Sequence, residues 1–188
     1  MRLRILFLFS LFLMFSCIKE KENEKKKESE TSSELTRIFE SIGPEASGIH
    51  FSNDLAENDS LNYLTYAHMY MGGGVSAGDF NNDGLVDLYF TGNMVPNKLY
   101  LNQGNLKFKD ITESAGVAGD GRWFAGVTLA DVNNDGYLDI YCSVGGKFDS
   151  RENLLFINNG DLTFSEKARE YGLADKGNSI QSVFFDYD

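Results

Sequence analysis

The chain has 188 residues, a formal net charge of -11, 42% hydrophobic and 24% charged residues, which suits one globular domain of ordinary size. The acidic balance argues against a nucleic-acid partner, which would favour a basic face, and suits a protein that collects cations. Nineteen glycines against two prolines point to the many tight turns of an all-β chain.

Residues 1–16 read as a signal peptide. Arg2 and Arg4 precede an apolar run from Ile5 to Phe15, which is too short to span a bilayer comfortably. The run ends at Ser16-Cys17, and a small residue followed by Cys resembles a bacterial lipoprotein cleavage site. The resemblance implies that Cys17 becomes a lipidated first residue, anchoring the protein to a membrane surface. The alternative is an ordinary signal peptide that happens to contain Cys17. Residues 17–34, "CIKEKENEKKKESETSSE", have almost no apolar content and read as a solvated tether. Such a charged stretch resembles the surface-export signal of Bacteroidetes-type lipoproteins. The implied location is the outer membrane of a bacterial cell envelope, facing either the periplasm or the surface.

Residues 35–71 form a lead-in segment. Leu35, Ile38, Phe39 and Ile42 share one helical face. Thr31 with Glu34 makes a capping box, and Gly43 ends the helix. "GIHFSN" alternates like a strand. The Tyr-rich stretch from Asp54 to Met71 shows no clear pattern.

Residues 72–188 repeat. Asp79 to Asp131 is 52 residues, Asp131 to Asp186 is 55, and Gly104/Gly160, Phe108/Phe164 and Gly116/Gly172 are each 56 apart. Each unit reads as four strands. The first follows an acidic loop ("LVDLYFTG", "YLDIYCSVG"), two form a hairpin at "NQGN" or "NNGD", and the fourth ("RWFAGVTLAD", "SIQSVFFD") leads into the next acidic loop. Four-stranded repeats of this length are the signature of antiparallel β-propeller blades. Two units and the start of a third make an incomplete propeller, since closure takes at least four blades. The chain therefore reads as the N-terminal part of a longer protein.

The acidic loops are "DFNNDGLVD" (79–87) and "DVNNDGYLD" (131–139). Their clustered carboxylates repel one another unless a cation lies among them. Calcium takes six to eight oxygen ligands, including carboxylates and backbone carbonyls. The expected ligands are Asp79, Asn81, Asp83, the Leu85 carbonyl and Asp87 in the first loop. In the second they are Asp131, Asn133, Asp135, the Tyr137 carbonyl and Asp139. Asp186 and Asp188 start a third loop. Magnesium fits less well, because it demands a rigid octahedron. An EF-hand needs Glu at loop position 12, where this chain has Phe90 and Cys142. The closing acid comes at position 9 instead, and β-formers follow, which puts the loop in a hairpin. A plain Asn-Asp-Gly turn would not need all of these acids.

"GGGVSAGDFNNDGLVDLYFTGN" and "GVTLADVNNDGYLDIYCSVG" resemble the FG-GAP-like, or VCBS-type, repeat, the calcium-loop blade also seen in integrin α propellers. "NDSLNYLTYAHMYMGGGVSAGDFNNDG" resembles the N-terminal region of bacterial lipoproteins that often end in an ASPIC/UnbV domain. The resemblance covers residues 48–188. It implies a seven-bladed propeller whose blade loops are structured by calcium.

The remaining motifs are weaker. "GVSAG" (74–78) matches G-x-S-x-G, but a nucleophile elbow needs a helix after Ser76, and His50 and His68 lie upstream. "GGG" (72–74) lacks the helix that a phosphate site needs. Trp123 and Cys142 read as core residues, and Tyr63, Tyr66 and Tyr70 as packing residues or a binding face. The expected function is a calcium-stabilised binding or scaffold module with a protein or glycan partner, and not an enzyme. The alternatives are a passive spacer, or a propeller hydrolase or lyase whose active residues lie further along the protein.

Overall fold

The computed structural model describes residues 39–146, 148 and 150–187. Two compact units divide at residue 41, and of the first only residues 39–41 are described. The signal peptide, Cys17 and the tether lie outside the described residues. Within residues 42–188 the elements are helix α1 (Pro44–Ser47), strands β1 (Val75–Gly78), β2 (Asp87–Phe90), β3 (Lys98–Asn102) and β4 (Phe108–Asp110), helix α2 (Thr112–Ala115), and strands β5 (Phe124–Ala130), β6 (Asp139–Val144), β7 (Leu154–Asn158) and β8 (Phe164–Glu166). The strands form two four-stranded antiparallel sheets, ordered β1-β2-β3-β4 and β5-β6-β7-β8. The all-β reading with blade-like sheets holds.

The grouping of the strands differs from the sequence reading by one strand. "RWFAGVTLAD" (122–131) was expected to complete the first unit, but β5 opens the second sheet, pairing Ala130 with Asp139 and Thr128 with Tyr141. The physical reason is locality. A strand that runs into an acidic loop and the strand that leaves it are neighbours in sequence, so they close as one hairpin.

The lead-in also differs. Thr31 to Ile38 lie outside the described residues, and residues 39–43 are not helical. Gly43 is the N-cap of α1 with Pro44 behind it, because Pro fits the first helical turn and needs no N–H partner there. Residues 48–71 contain no strand. They pack instead through side chains, with Phe51 stacked on Phe90 at 5.0 Å and Leu61 and Met69 against Trp123.

Between the sheets lies the main core. Tyr89, Leu99, Ile111 and Val117 of the first repeat meet Val127, Ile140, Cys142, Leu154 and Phe156 of the second. The other face of β6 and β7 is buried too, with Tyr141, Leu155 and Ile157 under Leu173 and Phe184. A strand covered on both faces loses its polar alternation, which explains the continuous run "LLFIN" of β7, buried throughout.

The first strands of the two sheets lie against each other. A Cβ on Gly74 would stand 2.8 Å from the Val127 nitrogen, and one on Gly126 would stand 2.4 Å from the Ile180 carbonyl oxygen. Gly74 and Gly126 are 52 residues apart, so the same close approach recurs between successive units. Residues 179–186, expected as a strand, have no ladder partner among the described residues. They run beside β5, where Ser182 accepts the Thr128 hydroxyl. No helix of the described residues is long and apolar enough to cross a membrane.

Gly74→Ala is expected to destabilise the chain by about 2 kcal/mol or more, because backbone sits where the methyl would go. Thermal melts of the parent and variant check this, and an unchanged melting temperature would refute the close strand contact.

Candidate functional site

Each acidic loop is the turn of a hairpin, β1–β2 or β5–β6. Two residues per loop adopt the left-handed conformation: Asn82 (φ 58°) and Gly84 (φ 85°), then Asn134 (φ 60°) and Gly136 (φ 87°). Asn and Gly enter that region at the lowest cost, which explains the Asn-Asp-Gly order.

The two loops repeat each other bond for bond. Asp79 accepts the N–H groups of Asp83 (3.1 Å) and Gly84 (2.7 Å), and Asp131 those of Asp135 (3.0 Å) and Gly136 (2.8 Å). Asp83 accepts the Leu85 N–H at 2.8 Å, and Asp135 the Tyr137 N–H at 2.9 Å. Asn81 donates to Asp83 at 2.9 Å, and Asn133 to Asp135 at 2.8 Å. Asn82 Nδ2 also donates to the Gly136 carbonyl at 3.0 Å, so the two loops are direct neighbours.

Asp87 and Asp139 stand apart from their loop partners. The sequence reading made them the closing ligands of each loop. In the structure they are 0% and 1% exposed. Asp87 accepts the Phe80 N–H (3.0 Å) with one oxygen and the Asn102 N–H (2.8 Å) with the other. Asp139 does the same with Val132 (2.9 Å) and Asn158 (2.8 Å). Each carboxylate thus ties the loop to the third strand of its sheet. Burial pushes both carboxyls above the usual carboxylate range, and repulsion from Asp83 and Asp79, or Asp135 and Asp131, adds to this. The N–H bonds oppose the shift.

The donor chemistry of the loops fits a hard divalent cation. Every candidate ligand offers oxygen, and an oxygen that accepts one N–H keeps a second lone pair. Asp83, Asp131 and Asp135 are exposed to solvent. Among the described residues no three acidic, His or Cys side chains converge as a preformed metal site, because the carboxylates turn toward the loop's own amides. Asp186 is exposed, and Asp188 lies outside the described residues.

A buried polar network escaped the sequence reading. Asn97 accepts the Gly92 N–H (3.0 Å) and donates to the Tyr89 hydroxyl (2.9 Å), which donates to the Val117 carbonyl (2.7 Å). Asn153 accepts the Val144 N–H (2.7 Å) and donates to the Tyr141 hydroxyl (2.9 Å), which donates to the Leu173 carbonyl (2.9 Å). Tyr89 and Tyr141 are 52 apart, Asn97 and Asn153 are 56 apart, and that repeat was the signal available.

The other singled-out residues have structural surroundings. Ser76 donates to the Val127 carbonyl at 3.3 Å. The His50 N–H reaches the Tyr100 hydroxyl, and His68 lies edge-on to Tyr66. Trp123 is 4% exposed and stacked on Phe148 at 5.3 Å. Tyr63 and Tyr70 stack at the surface, while Tyr66 packs on Trp123. Cys142 is buried beside Tyr89, and burial pushes its thiol up to about 12.

Residues 79–142 match the FG-GAP-like repeat. The match runs from the first acidic loop through the second and shares the one-strand offset of the sequence repeat. Over 103 residues, 53% of this chain, the protein is 38% identical to Cartilage acidic protein 1 of Mus musculus, covering 15% of it. The Xenopus tropicalis protein of that name is 32% identical over 123 residues, 63% of this chain and 18% of the relative. The Homo sapiens protein is 40% identical over 72 residues, 38% of this chain and 11% of the relative. The chain thus spans less than a fifth of the length of these relatives.

Asp87→Asn and Asp139→Asn are each expected to cost about 1–3 kcal/mol, since an amide leaves one buried N–H facing another donor. Denaturant melts that show no loss would remove the tethering role. Cys142 is expected to stay unalkylated at pH 8 in the folded chain and to react at once in denaturant. Mass mapping of the labelled peptide reads this, and fast labelling of the native chain would contradict the buried placement.

Proposed function

We propose that the chain is a calcium-stabilised binding or scaffold module of a β-propeller-type lipoprotein in a bacterial cell envelope. The observation that carries the reading is the duplicated acidic hairpin, with the same hydrogen bonds in both copies and a direct bond from Asn82 to Gly136. The acids at the first and ninth positions accept main-chain N–H groups, but together with the third acid of each loop they also gather negative charge that needs an offset. Hard cations give one.

Calcium would be held in the first loop by Asp79, Asn81, Asp83, the Leu85 carbonyl and Asp87. In the second it would be held by Asp131, Asn133, Asp135, the Tyr137 carbonyl and Asp139. The cation supplies positive charge among carboxylates that otherwise repel. Asn81 and Asp83, and Asn133 and Asp135, would turn from each other to face it. With calcium near 2 mM and a Kd of about 0.1–1 mM, each loop gains about 0.7–1.8 kcal/mol. Cys17 would carry the lipid anchor, leaving the module on the membrane surface to engage a protein or glycan partner.

The test is a thermal melt of the full chain in 2 mM calcium and in chelator. Calcium is expected to raise the melting temperature by about 3 °C or more. Combining Asp83→Ala with Asp135→Ala should abolish the rise. A parent chain whose melting is the same in both conditions would reduce the loops to turns and remove the calcium role.

A further inference from the structure

The two units are not the same everywhere. From Tyr89 to Asn97 is 8 residues, and from Tyr141 to Asn153 is 12. Of the four extra residues, two lengthen β6 (Asp139–Val144 against Asp87–Phe90) and two lengthen the β6–β7 loop. Phe148, Ser150, Arg151 and Glu152 belong to this longer loop.

The longer loop builds a groove. Arg122, Ser150, Arg151, Glu152, Arg169 and Lys176 line one part of about 410 Å³. Arg122 and Ser150 also line an adjoining cleft of about 340 Å³, whose apolar wall is Leu61, Met94, Trp123 and Phe148. The groove is basic on a chain whose net charge is -11. Fifty-six residues earlier, the positions of Arg151, Arg169 and Lys176 hold Val95, Glu113 and Asp120. The cations thus belong to the second unit alone and are no part of the repeated scaffold.

Their wiring leaves positive charge over. Arg122 pairs with Asp120 at 2.8 Å and donates to the Glu152 carbonyl, which fixes its guanidinium. Arg169 and Lys176 share the single carboxylate of Glu152, at 2.6 and 3.1 Å, and both are mostly exposed. Arg151 is exposed and forms no ion pair among the described residues. Among the described residues, four cations face Asp120 and Glu152, and Glu166 also acts on Arg169.

We infer that this groove binds an acidic peptide segment of a partner protein, with a carboxylate between Arg151, Arg169 and Lys176 and an apolar side chain in the cleft beside Trp123 and Phe148. A glycan fits less well, because sugars stack on open aromatic faces. Trp123 has none: Phe148 stacks on it, Tyr66 meets it edge-on at 5.4 Å, and it is 4% exposed. The groove deepens the binding-module reading and is independent of its calcium part.

The experiment is fluorescence anisotropy of the full chain in calcium, with a labelled decapeptide of Glu and Leu. A Lys and Leu decapeptide and a sulfated oligosaccharide are the comparison probes. Saturable binding of the acidic peptide that weakens about tenfold as salt rises into the Debye-screened range is expected. Arg151→Ala and Lys176→Ala should each weaken binding about fivefold. Glu152→Gln should strengthen it about fivefold, because it frees Arg169 and Lys176. A purely structural ion-pair cluster predicts no such gain. Arg151→Ala breaks no described contact, so it decides the matter should Glu152→Gln unfold the chain. Absence of saturable binding, unchanged affinity in Arg151→Ala, or tighter binding of the oligosaccharide would each overturn the proposal. A calcium-dependent melt retained beside failed peptide binding would locate the failure in the groove alone.

Discussion

Two buried carboxylates hold the architecture together. Asp87 and Asp139 each join an acidic loop to the third strand of their sheet through two main-chain N–H groups. Without them, the hairpin turn and the β2–β3 or β6–β7 pair would meet with unpaired amides in a water-poor interior, which is costly. The surrounding polar groups obey the same constraint. Among the described residues, no buried side-chain nitrogen or oxygen lacks a hydrogen-bond partner. Asn102 and Asn158 extend the system, each donating to the carbonyl before its own buried Asp (Val86 or Leu138). Asn158 reaches further, to the Phe80 carbonyl of the first unit.

Around that polar frame the apolar residues do the bulk work of holding sheet to sheet. Tyr89 joins both systems. Its ring fills the core between the sheets, and its hydroxyl closes the bond chain from Asn97 to Val117. Buried tyrosines need a partner for the hydroxyl, and the repeat provides one in each unit. The lead-in segment covers part of the first sheet from the other side, through Phe51 on Phe90 and the bond from the His50 amide to the Tyr100 hydroxyl.

Much of this was legible in the sequence. The strands β2, β3, β6 and β7, the glycine turns at Gly104 and Gly160, and the core positions of Trp123 and Cys142 followed from pattern and spacing. The acidic loops were legible as hairpins, because β-formers follow an acid at position 9. The frame of the repeat was not legible. Periodicity has no origin, and only the pairing of β5 with β6 fixes where a sheet begins. The helix expected to end at Gly43 failed where described, because Pro44 starts a new turn there. The strand expected at "GIHFSN" failed because its partners are side chains and not a ladder. The amide-tethering role of Asp87 and Asp139 was hidden as well, since a carboxylate facing an amide and one facing a cation look alike in sequence.

The hydrogen bond from Asn82 to the Gly136 carbonyl makes the two acidic loops nearest neighbours, as adjacent units of a repeat fold are. The two ends of this bond lie in different turns, and both sit where the backbone is left-handed. Any rearrangement of one turn must therefore break or keep a bond that the next turn also feels. The two turns therefore share one contact, and the main chain of the second is the acceptor for a side chain of the first.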